Sequence, residues 1–396
     1  MTEVKLDAGK LQGVWTNLAI LFVARMAVAF QFQAVAALAP DIGAAFAVDF
    51  ANIGLLIGLY FAPGIVLALP GGAIGRRFGD KPTVLTGLSL MLIGDVLAVG
   101  IGKWELQLAC RLIAGIGGVI LNVMLTKMMV DIFAGRKIAG AMALFISSWP
   151  IGIAIALVLL PPLVATFGLA PARLATAVPV IASFVLLICC YHRPIAAPPS
   201  GMHRFPAVAT TAAVVVLGLT WGLYNIGFAM VFSFGPATLI EHGALHAQAA
   251  ARISIVLWLA ILSVPLGGFI VDKVGHGDAV LAGGCLAFAL AVLLLARSEN
   301  TFVVVLLLGT LCGLPAAAIM SLPAQLLGPH DRALGMGIFY TVYYACMLAG
   351  PAIGGWLANW SGSAQSALDF GAAALLVCPI CLWSFRLLHR QHVAAA

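Results

Sequence analysis

Charged side chains are scarce in this sequence, whose 396 residues include only 20 Lys and Arg and 14 Asp and Glu. Together they make up 9% of the chain, whereas a soluble domain carries about 25%. So few charges cannot cover the surface of a soluble fold of this length. The same composition, 63% hydrophobic, excludes disorder, collagen, coiled coils and disulfide scaffolds. It leaves a protein that crosses a membrane several times.

The sequence also lacks the alternation of apolar and polar residues that marks the strands of membrane barrels. Its apolar runs are unbroken and reach the length of about 20 residues that a helix needs to cross a bilayer. Backbone amides in lipid must be bonded within a helix or a closed barrel. These runs therefore predict an all-α membrane protein.

Several motifs with chemical roles are missing. No nucleophile, base and orienting group lie together in a polar segment, and no glycine-rich loop could hold a phosphate, which excludes an enzyme and an ATP-driven pump. No basic stripe is interleaved with aromatics, so no nucleic acid partner is expected. The eight Cys lie in apolar runs and the eight His in loops or tails, so we expect no metal, no cofactor and no buried His relay. Residues 1–14 have no apolar core, so no cleaved signal peptide is expected.

Apolar runs long enough to cross a membrane occur twelve times. They cover residues 15–38, 51–75, 82–101, 105–131, 137–165, 171–191, 207–238, 248–271, 278–296, 301–326, 332–357 and 364–387. An even number of spans places both termini on one side of the membrane. Thirteen of the 20 Lys and Arg lie in segments on that side and four in segments on the other. Because positive charge favours cytoplasmic loops, we predict cytoplasmic termini and a multi-pass protein of the bacterial inner membrane.

The sequence repeats itself across its longest polar break. PGGAIGRRFGDK at 70–81 and PLGGFIVDKVGHGD at 265–278 both follow the second span of their half, 196 residues apart. We therefore predict an N-terminal six-helix half over residues 1–191, a cytoplasmic linker over 192–206 and a C-terminal six-helix half over 207–396. Internal repeats of this kind are typical of transporters whose substrate site lies between two moving units.

Four short patterns resemble those of the major facilitator superfamily. The two loops just described carry its loop signature at Gly268, Asp272, Lys273 and Gly275, and at Gly72, Arg76, Arg77, Gly79 and Lys81. The fourth span contains Arg111 followed by glycines at 115, 117 and 118, and the eleventh contains GPAIGG at 350–355. The resemblance covers nearly the whole chain. It implies two pseudo-symmetric six-helix halves and transport by alternating access.

The resemblance also implies roles for charged residues. In the family, the Asp of the loop signature pairs with an Arg and helps to hold the inner gate closed. In this sequence the second half keeps that Asp as Asp272, beside Lys273, whereas Arg76 occupies the Asp position of the first half. We therefore expect coupling or gating roles for Arg76, Arg77, Asp272 and Lys273, and for Arg111 of the fourth span.

Arg25 lies ten residues into the first span, about 15 Å deep at 1.5 Å per residue and close to the middle of a core about 30 Å thick. A charge there costs about 2.5 to 3.5 kcal/mol, and no acidic residue shares its helix. A guanidinium matches carboxylates and other planar oxyanions, and anion-transporting members of the resembling family hold a buried Arg in helix 1. Arg25 therefore either binds an anionic substrate or pairs with an acid on another helix.

Other charges also fall inside predicted spans. Asp95 and Arg111 are equally far from Lys103, at the centre of a short loop, so we predict an ion pair that either locks two helices or couples transport to protonation. Lys127 and Asp131 are four residues apart and predict a solvated or gate-supporting pair. Asp369 is the only acid well inside the second half.

Polar and aromatic residues at similar depth complete the predicted substrate site. Tyr and Trp that face lipid favour the membrane interfaces, so those near the midplane are expected to face the interior, either as packing or as the lining of a cavity. The set is Gln33, Ser147, Trp149, Trp221, Tyr224, Asn225, Trp258, Tyr340, Tyr343 and Tyr344.

The sequence thus predicts a monomeric secondary transporter that carries a small anion by alternating access, with or without a coupling ion. Within the family it resembles cyanate-permease-type anion porters and organic-anion symporters. Two alternatives stay open at this point. One is efflux of drugs or metabolites, with Arg25 in a structural role. The other is a receptor on the same scaffold, which would call for a soluble domain that the short loops do not hold.

Overall fold

The computed structural model describes residues 8–70, 77–133, 138–191, 208–298, 300–328 and 332–395. Within these ranges the chain is almost entirely helical and contains no strand. The predicted linker at 192–206 and the loop glycine and arginine at 72 and 76 lie outside the described residues.

Twelve helical spans are long and apolar enough to cross a membrane. We number them α1 to α12: Gly13–Ala37, Phe50–Leu67, Asp80–Gly100, Trp104–Ile132, Leu144–Phe167, Leu169–Cys190, Thr210–Glu241, His246–Lys273, Gly277–Leu295, Thr301–Leu326, Leu334–Ser361 and Gln365–His389. The all-α prediction of a multi-pass membrane protein is confirmed. We call the side on which α1 begins and α12 ends the terminal face, and the other side the opposite face.

Several spans belong to longer helices or contain a break. The longer helices are Ala8–Ala37, Ile138–Phe167, Val208–Glu241, His246–Val274, Arg332–Ser361 and Gln365–Ala395. The interrupted spans are α2 (Phe50–Leu59 and Gly64–Leu67), α6 (Leu169–Leu174 and Ala177–Cys190) and α10 (Thr301–Cys312 and Leu314–Leu326). A short helix, Ala39–Phe46, follows α1. The predicted spans agree with these within several residues, except that α2 ends at Leu67 and not at residue 75.

The two six-helix halves meet along three pairs of helices: α2 with α11, α5 with α8, and α1 with α7. The α2–α11 seam is a contact of backbone against backbone. A side chain on Gly54 would overlap the carbonyl of Pro351, and one on Gly58 would overlap that of Leu348. Glycines at this seam let the two halves approach more closely than any other residue would allow.

Glycines explain the helix 4 pattern in the same way. Gly115 and Gly118 both pack against Tyr60 of α2, and Gly117 packs against the backbone of Gly87 in α3. Arg111, Gly115 and Gly118 therefore face α1 and α2, whereas Gly117 faces α3.

We predict that Gly117→Ala destabilises the protein by about 1 to 3 kcal/mol, because the new methyl group would overlap the Gly87 carbonyl. Gly283→Ala is the matched control, since a Cβ at this helical glycine would have no neighbour within 4 Å. Unfolding temperatures in detergent should fall for Gly117→Ala and stay level or rise for Gly283→Ala. Equal temperatures for the two variants would contradict the packing argument.

Candidate functional site

Arg25 lies at the centre of α1, where α1 packs against α5. Its guanidinium carbon is 4.7 Å from the centre of the Phe145 ring, and Nη1 donates a 3.4 Å hydrogen bond to the Phe145 carbonyl. The residue is half-buried, and its buried Nε has no hydrogen-bond partner among the described residues. Among the same residues, no carboxylate oxygen lies within 4.0 Å of Arg25. A half-buried guanidinium with an unused donor is a strong site for an anion.

Three tyrosines of α11 approach Arg25 from the other half. Tyr340, Tyr343 and Tyr344 are the ionisable groups that interact with its charge. The Asn122 amide of α4 donates a 3.0 Å hydrogen bond to the Tyr344 hydroxyl oxygen. With that oxygen acting as acceptor, the hydroxyl hydrogen is left to donate to another group. The tyrosines therefore add neutral donors beside the cation.

Aromatic rings join the two halves around this centre. On the N-terminal side, Phe32 lies 4.8 Å from Phe61 and stacks on Trp149 at 5.9 Å between ring centres. Phe61 in turn lies 5.9 Å from Tyr344 and 6.3 Å from Tyr343.

Trp221 continues the chain of rings in α7, 6.3 Å from Tyr343 and stacked 5.3 Å from Tyr224. Predicted residues Trp149, Trp221, Tyr224, Tyr340, Tyr343 and Tyr344 thus belong to one aromatic cluster with Phe32, Tyr60 and Phe61.

Other predicted site residues point elsewhere. Trp258 lies outside the aromatic cluster: it is 43% exposed, in line with Leu262 and Phe269 on an apolar stripe that suits lipid. Gln33 is fully buried and donates a 2.8 Å hydrogen bond to the Phe232 carbonyl of α7. It therefore ties the halves together away from Arg25.

The hydroxyl and amide at the other predicted positions bind within their own helices. Ser147 donates to the Leu144 carbonyl, and the neighbouring Ser148, which was not predicted, donates to that of Phe145. The Asn225 side chain donates to the Trp221 carbonyl one turn earlier. These bonds satisfy polar groups within the helices and leave the hydroxyl oxygens as acceptors only.

Arg111 is a second guanidinium within the spans; it is buried, and each of its three nitrogens donates a hydrogen bond. Nε donates to the Leu56 carbonyl of α2 at 3.1 Å, while Nη1 and Nη2 donate to the carbonyls of Gln31 and Phe32 in α1 at 3.2 and 2.7 Å. Its carbon also lies 4.4 Å from the centre of the Tyr60 ring. Arg111 thus fastens α4 to α1 and α2.

The predicted ion pair between Asp95 and Arg111 does not form: the two side chains do not come within 4.0 Å, and each nitrogen of Arg111 donates to a backbone carbonyl instead. Asp95 instead accepts a 2.7 Å hydrogen bond from the Thr176 hydroxyl of α6. Both residues line one cavity of about 40 Å³ together with Gln31 and Arg173. Among the residues described, no Lys or Arg nitrogen lies within 4.0 Å of the Asp95 carboxylate.

At the terminal face the predicted gating residues are free of each other. Arg77, Asp272 and Lys273 are exposed, with Arg77 over the Phe78 ring and Lys273 over the Phe269 ring. Arg76 lies outside the described residues. No ion pair in the described part of the chain joins the halves at this face.

Ion pairs lie within each half instead. Lys127 binds Asp131 at 3.0 Å, as predicted, and also Asp80 of α3 at 2.8 Å. Asp369 binds Arg297 at 2.7 Å, and this hydrogen bond raises the pKa of Arg297, just beyond α9.

The site contains residues that the sequence analysis missed. Phe145, Phe32 and Phe61 were overlooked because Phe is common in any apolar span. Asn122 carried a readable signal, since an amide eighteen residues into α4 is polar at membrane depth. In the described part of the chain, no group of His, Cys, Asp and Glu could hold a metal ion.

The family model of the Major Facilitator Superfamily matches residues 21–234 and again residues 212–395. The chain belongs to the major facilitator superfamily. The double match agrees with two repeated halves, and membership in this family makes the protein a transporter and not an enzyme.

Two relatives of this transporter are also transporters by name. The 3-(3-hydroxy-phenyl)propionate transporter of Escherichia coli (strain K12) is 25% identical over 369 residues, which are 86% of this chain and 86% of the relative. The putative tartrate transporter of Agrobacterium vitis is 26% identical over 178 residues, 42% of this chain and 37% of the relative.

Proposed function

We propose that this transporter carries a small organic anion and binds its carboxylate at Arg25. The observation that carries the proposal is the half-buried Arg25 guanidinium: among the described residues its buried Nε has no hydrogen-bond partner, and no carboxylate lies within 4.0 Å. An unneutralised cation at this depth is costly, so an anion that enters the site gains a strong charge-assisted interaction.

The aromatic cluster favours a carboxylate with an apolar or aromatic body. The centre of the Phe61 ring lies 6.3 Å from that of Trp149 and 6.3 Å from that of Tyr343. Aromatic faces pack well against a planar ring, and the tyrosine hydroxyls offer donors to a hydroxyl or carboxylate group. The two relatives are named for the transport of 3-(3-hydroxy-phenyl)propionate, a carboxylate with an aromatic ring, and of tartrate. We therefore expect an arylalkanoate or a similar aromatic carboxylate as substrate.

Alternating access is supported by where the site lies. Arg25 belongs to the half over residues 1–191, and the tyrosines belong to the half over residues 207–396. A substrate between them would be released when the halves separate on one face. The glycine seam between α2 and α11 supports tight closure at the opposite face, where Gly54 and Pro351 meet.

We also propose that the protein is a monomer of the bacterial inner membrane and that its terminal face is cytoplasmic. The orientation is supported by the thirteen of 20 Lys and Arg that lie on that side. Cysteines replacing Lys103 and Arg77, both exposed and on different faces, test this orientation. In intact cells a membrane-impermeant thiol reagent should label position 103 and leave position 77 unlabelled. The wild-type protein gives the background from native cysteines, and the reverse pattern would reject the orientation.

The Arg25 site predicts a graded loss of binding. Arg25→Ala should weaken the binding of aromatic carboxylates such as phenylpropionate about ten- to a hundredfold, because one charge-assisted hydrogen bond contributes about 1.5 to 3 kcal/mol. Arg25→Lys keeps the charge but loses the planar fork, so its affinity should lie between those of the wild type and Arg25→Ala. Titration calorimetry of the purified protein measures both affinities.

Arg297→Ala is the control, since it removes an arginine whose carboxylate partner is already known. It should leave the affinity unchanged. Unfolding temperatures must be measured on the same samples: a loss of stability in Arg25→Ala with unchanged affinity would support the structural role and the efflux alternative. Unchanged affinity for every carboxylate that binds the wild type would reject the substrate site.

We further propose that transport is coupled to protons through Asp95. It is a carboxylate without an ion-pair partner in the described spans, and it lines a cavity large enough for about three water molecules. Gln31, on the same cavity, accepts a 2.9 Å hydrogen bond from Tyr60, whose ring lies 5.8 Å from Phe61. A change of charge on Asp95 can therefore reach the aromatic cluster through two contacts.

Asp95→Asn should abolish accumulation of substrate driven by a proton gradient in liposomes, while exchange of labelled for unlabelled substrate across the membrane continues. Exchange needs the substrate site and the moving halves but no net proton movement. Asp131→Asn is a suitable control, because Asp131 is exposed to solvent at the terminal face and already paired with Lys127. Accumulation that survives in Asp95→Asn would exclude this residue as the proton carrier.

A further inference from the structure

His246 joins the two halves at the opposite face. It is the first residue of α8 in the C-terminal half, and its side chain is 25% exposed. Its Nε2 lies 3.0 Å from the carbonyl oxygen of Ala37 at the end of α1. Its Nδ1 lies 3.7 Å from Oδ2 of Asp41 in the short helix that follows. Within the part of the chain described here, this is the only ion-pair contact between the halves.

The two ring nitrogens of His246 thus face two acceptors. A carbonyl oxygen cannot donate, so Nε2 must carry the hydrogen of the 3.0 Å bond. A neutral imidazole has only one N–H, and its Nδ1 lone pair would then face the carboxylate of Asp41. In the protonated ring both nitrogens are donors. Oδ2 of Asp41 is buried and has no other hydrogen-bond partner, so it is left for that second donor.

The other charged groups near this end of α8 are engaged elsewhere. Glu241, at the end of α7, accepts hydrogen bonds from Ser363 and Ala364. Asp49 caps α2 through Asn52, and Arg252 donates to Thr301. Of the other helices that pack against α8, Ile138–Phe167 and α10 contain no charged residue, and the one acid of α9, Asp278, lies at the terminal face. His242 is exposed, and no contact between it and His246 is described. Asp41 is therefore the charged group that faces the ring.

We propose that His246 is a proton-binding site of the closed opposite face, so that closure of this face takes up a proton from the adjoining solution. The proposal rests on the alternating movement proposed above but not on the substrate. When the halves separate here, the ring leaves both Ala37 and Asp41 and is hydrated. The imidazolium then loses the two acceptors that favour it, and the proton can leave.

Linkage gives the direction of the effect. If the closed face binds one more proton than the open face, acid on that side favours closure, and the ratio of closed to open molecules changes by at most tenfold per pH unit. The closed form is therefore favoured in acid, and this preference is lost as the pH rises. Acid would thus favour the form in which this face is closed around a bound substrate.

Energy transfer between two fluorophores can measure this closure directly. Azido amino acids placed at Lys103 and Asn300, which are exposed at the opposite face in different halves, allow labelling without changing the native cysteines. The measurement is made without substrate between pH 5.5 and pH 8, so a failure of the Arg25 proposal does not affect it. The wild type should show a closed fraction that falls as the pH rises.

His246→Gln keeps one donor for the Ala37 carbonyl but cannot take up a proton, so its closed fraction should be nearly independent of pH. Asp41→Asn should flatten the dependence as well, through the other partner of the contact. His242→Gln is the matched control, since it removes an exposed imidazole four residues away, and it should behave like the wild type. A pH-independent wild type, or a wild-type dependence kept in His246→Gln, would overturn the proposal.

Discussion

A guanidinium cannot donate hydrogen bonds to the hydrocarbon of lipid, so inside a membrane it needs acceptors that the protein supplies, and this constraint organises the N-terminal half. Arg111 meets it with three backbone carbonyls from α1 and α2. Those carbonyls lie where each helix still has its own hydrogen bonds, so Arg111 uses their second lone pairs. The arginine that the family pattern places in helix 4 is thereby a fastening between three helices, with glycines behind it to let them meet.

Arg25 is the same chemical group with the opposite outcome. Its surroundings supply one long hydrogen bond, an aromatic face and neutral tyrosines, and they leave Nε without a partner. Each nitrogen of Arg111 therefore has an acceptor in the folded protein, whereas Nε of Arg25 has none among the described residues. That contrast separates a structural cation from a binding cation more clearly than depth in the membrane does, since both lie within the spans.

Much of this architecture is readable from the sequence because lipid imposes a simple rule on length and hydrophobicity. The twelve spans and their order follow from it, and the resemblance to the family rests on four short motifs. The partners of individual side chains do not follow from this rule. Asp95 and Arg111 have the right depth to meet, yet nearby backbone carbonyls compete for the guanidinium, and no periodicity records them. Trp258 has the depth expected for the site, but it lies on the exposed face of its helix. His246 begins a helix, and only the packing of the halves shows that it bridges them.

The seam between α2 and α11 has a mechanical consequence. Most helix contacts lock together through side chains that sit in the hollows of the partner, so any shift along the axis has to push those side chains into new rotamers. Where Gly54 and Gly58 lie against the carbonyls of Pro351 and Leu348, the two glycines have no side chains that could interlock with the partner helix. Weak Cα–H to carbonyl contacts can be exchanged for equivalent ones over a small displacement. The α2–α11 contact therefore permits small movements of one helix relative to the other without any repacking of side chains.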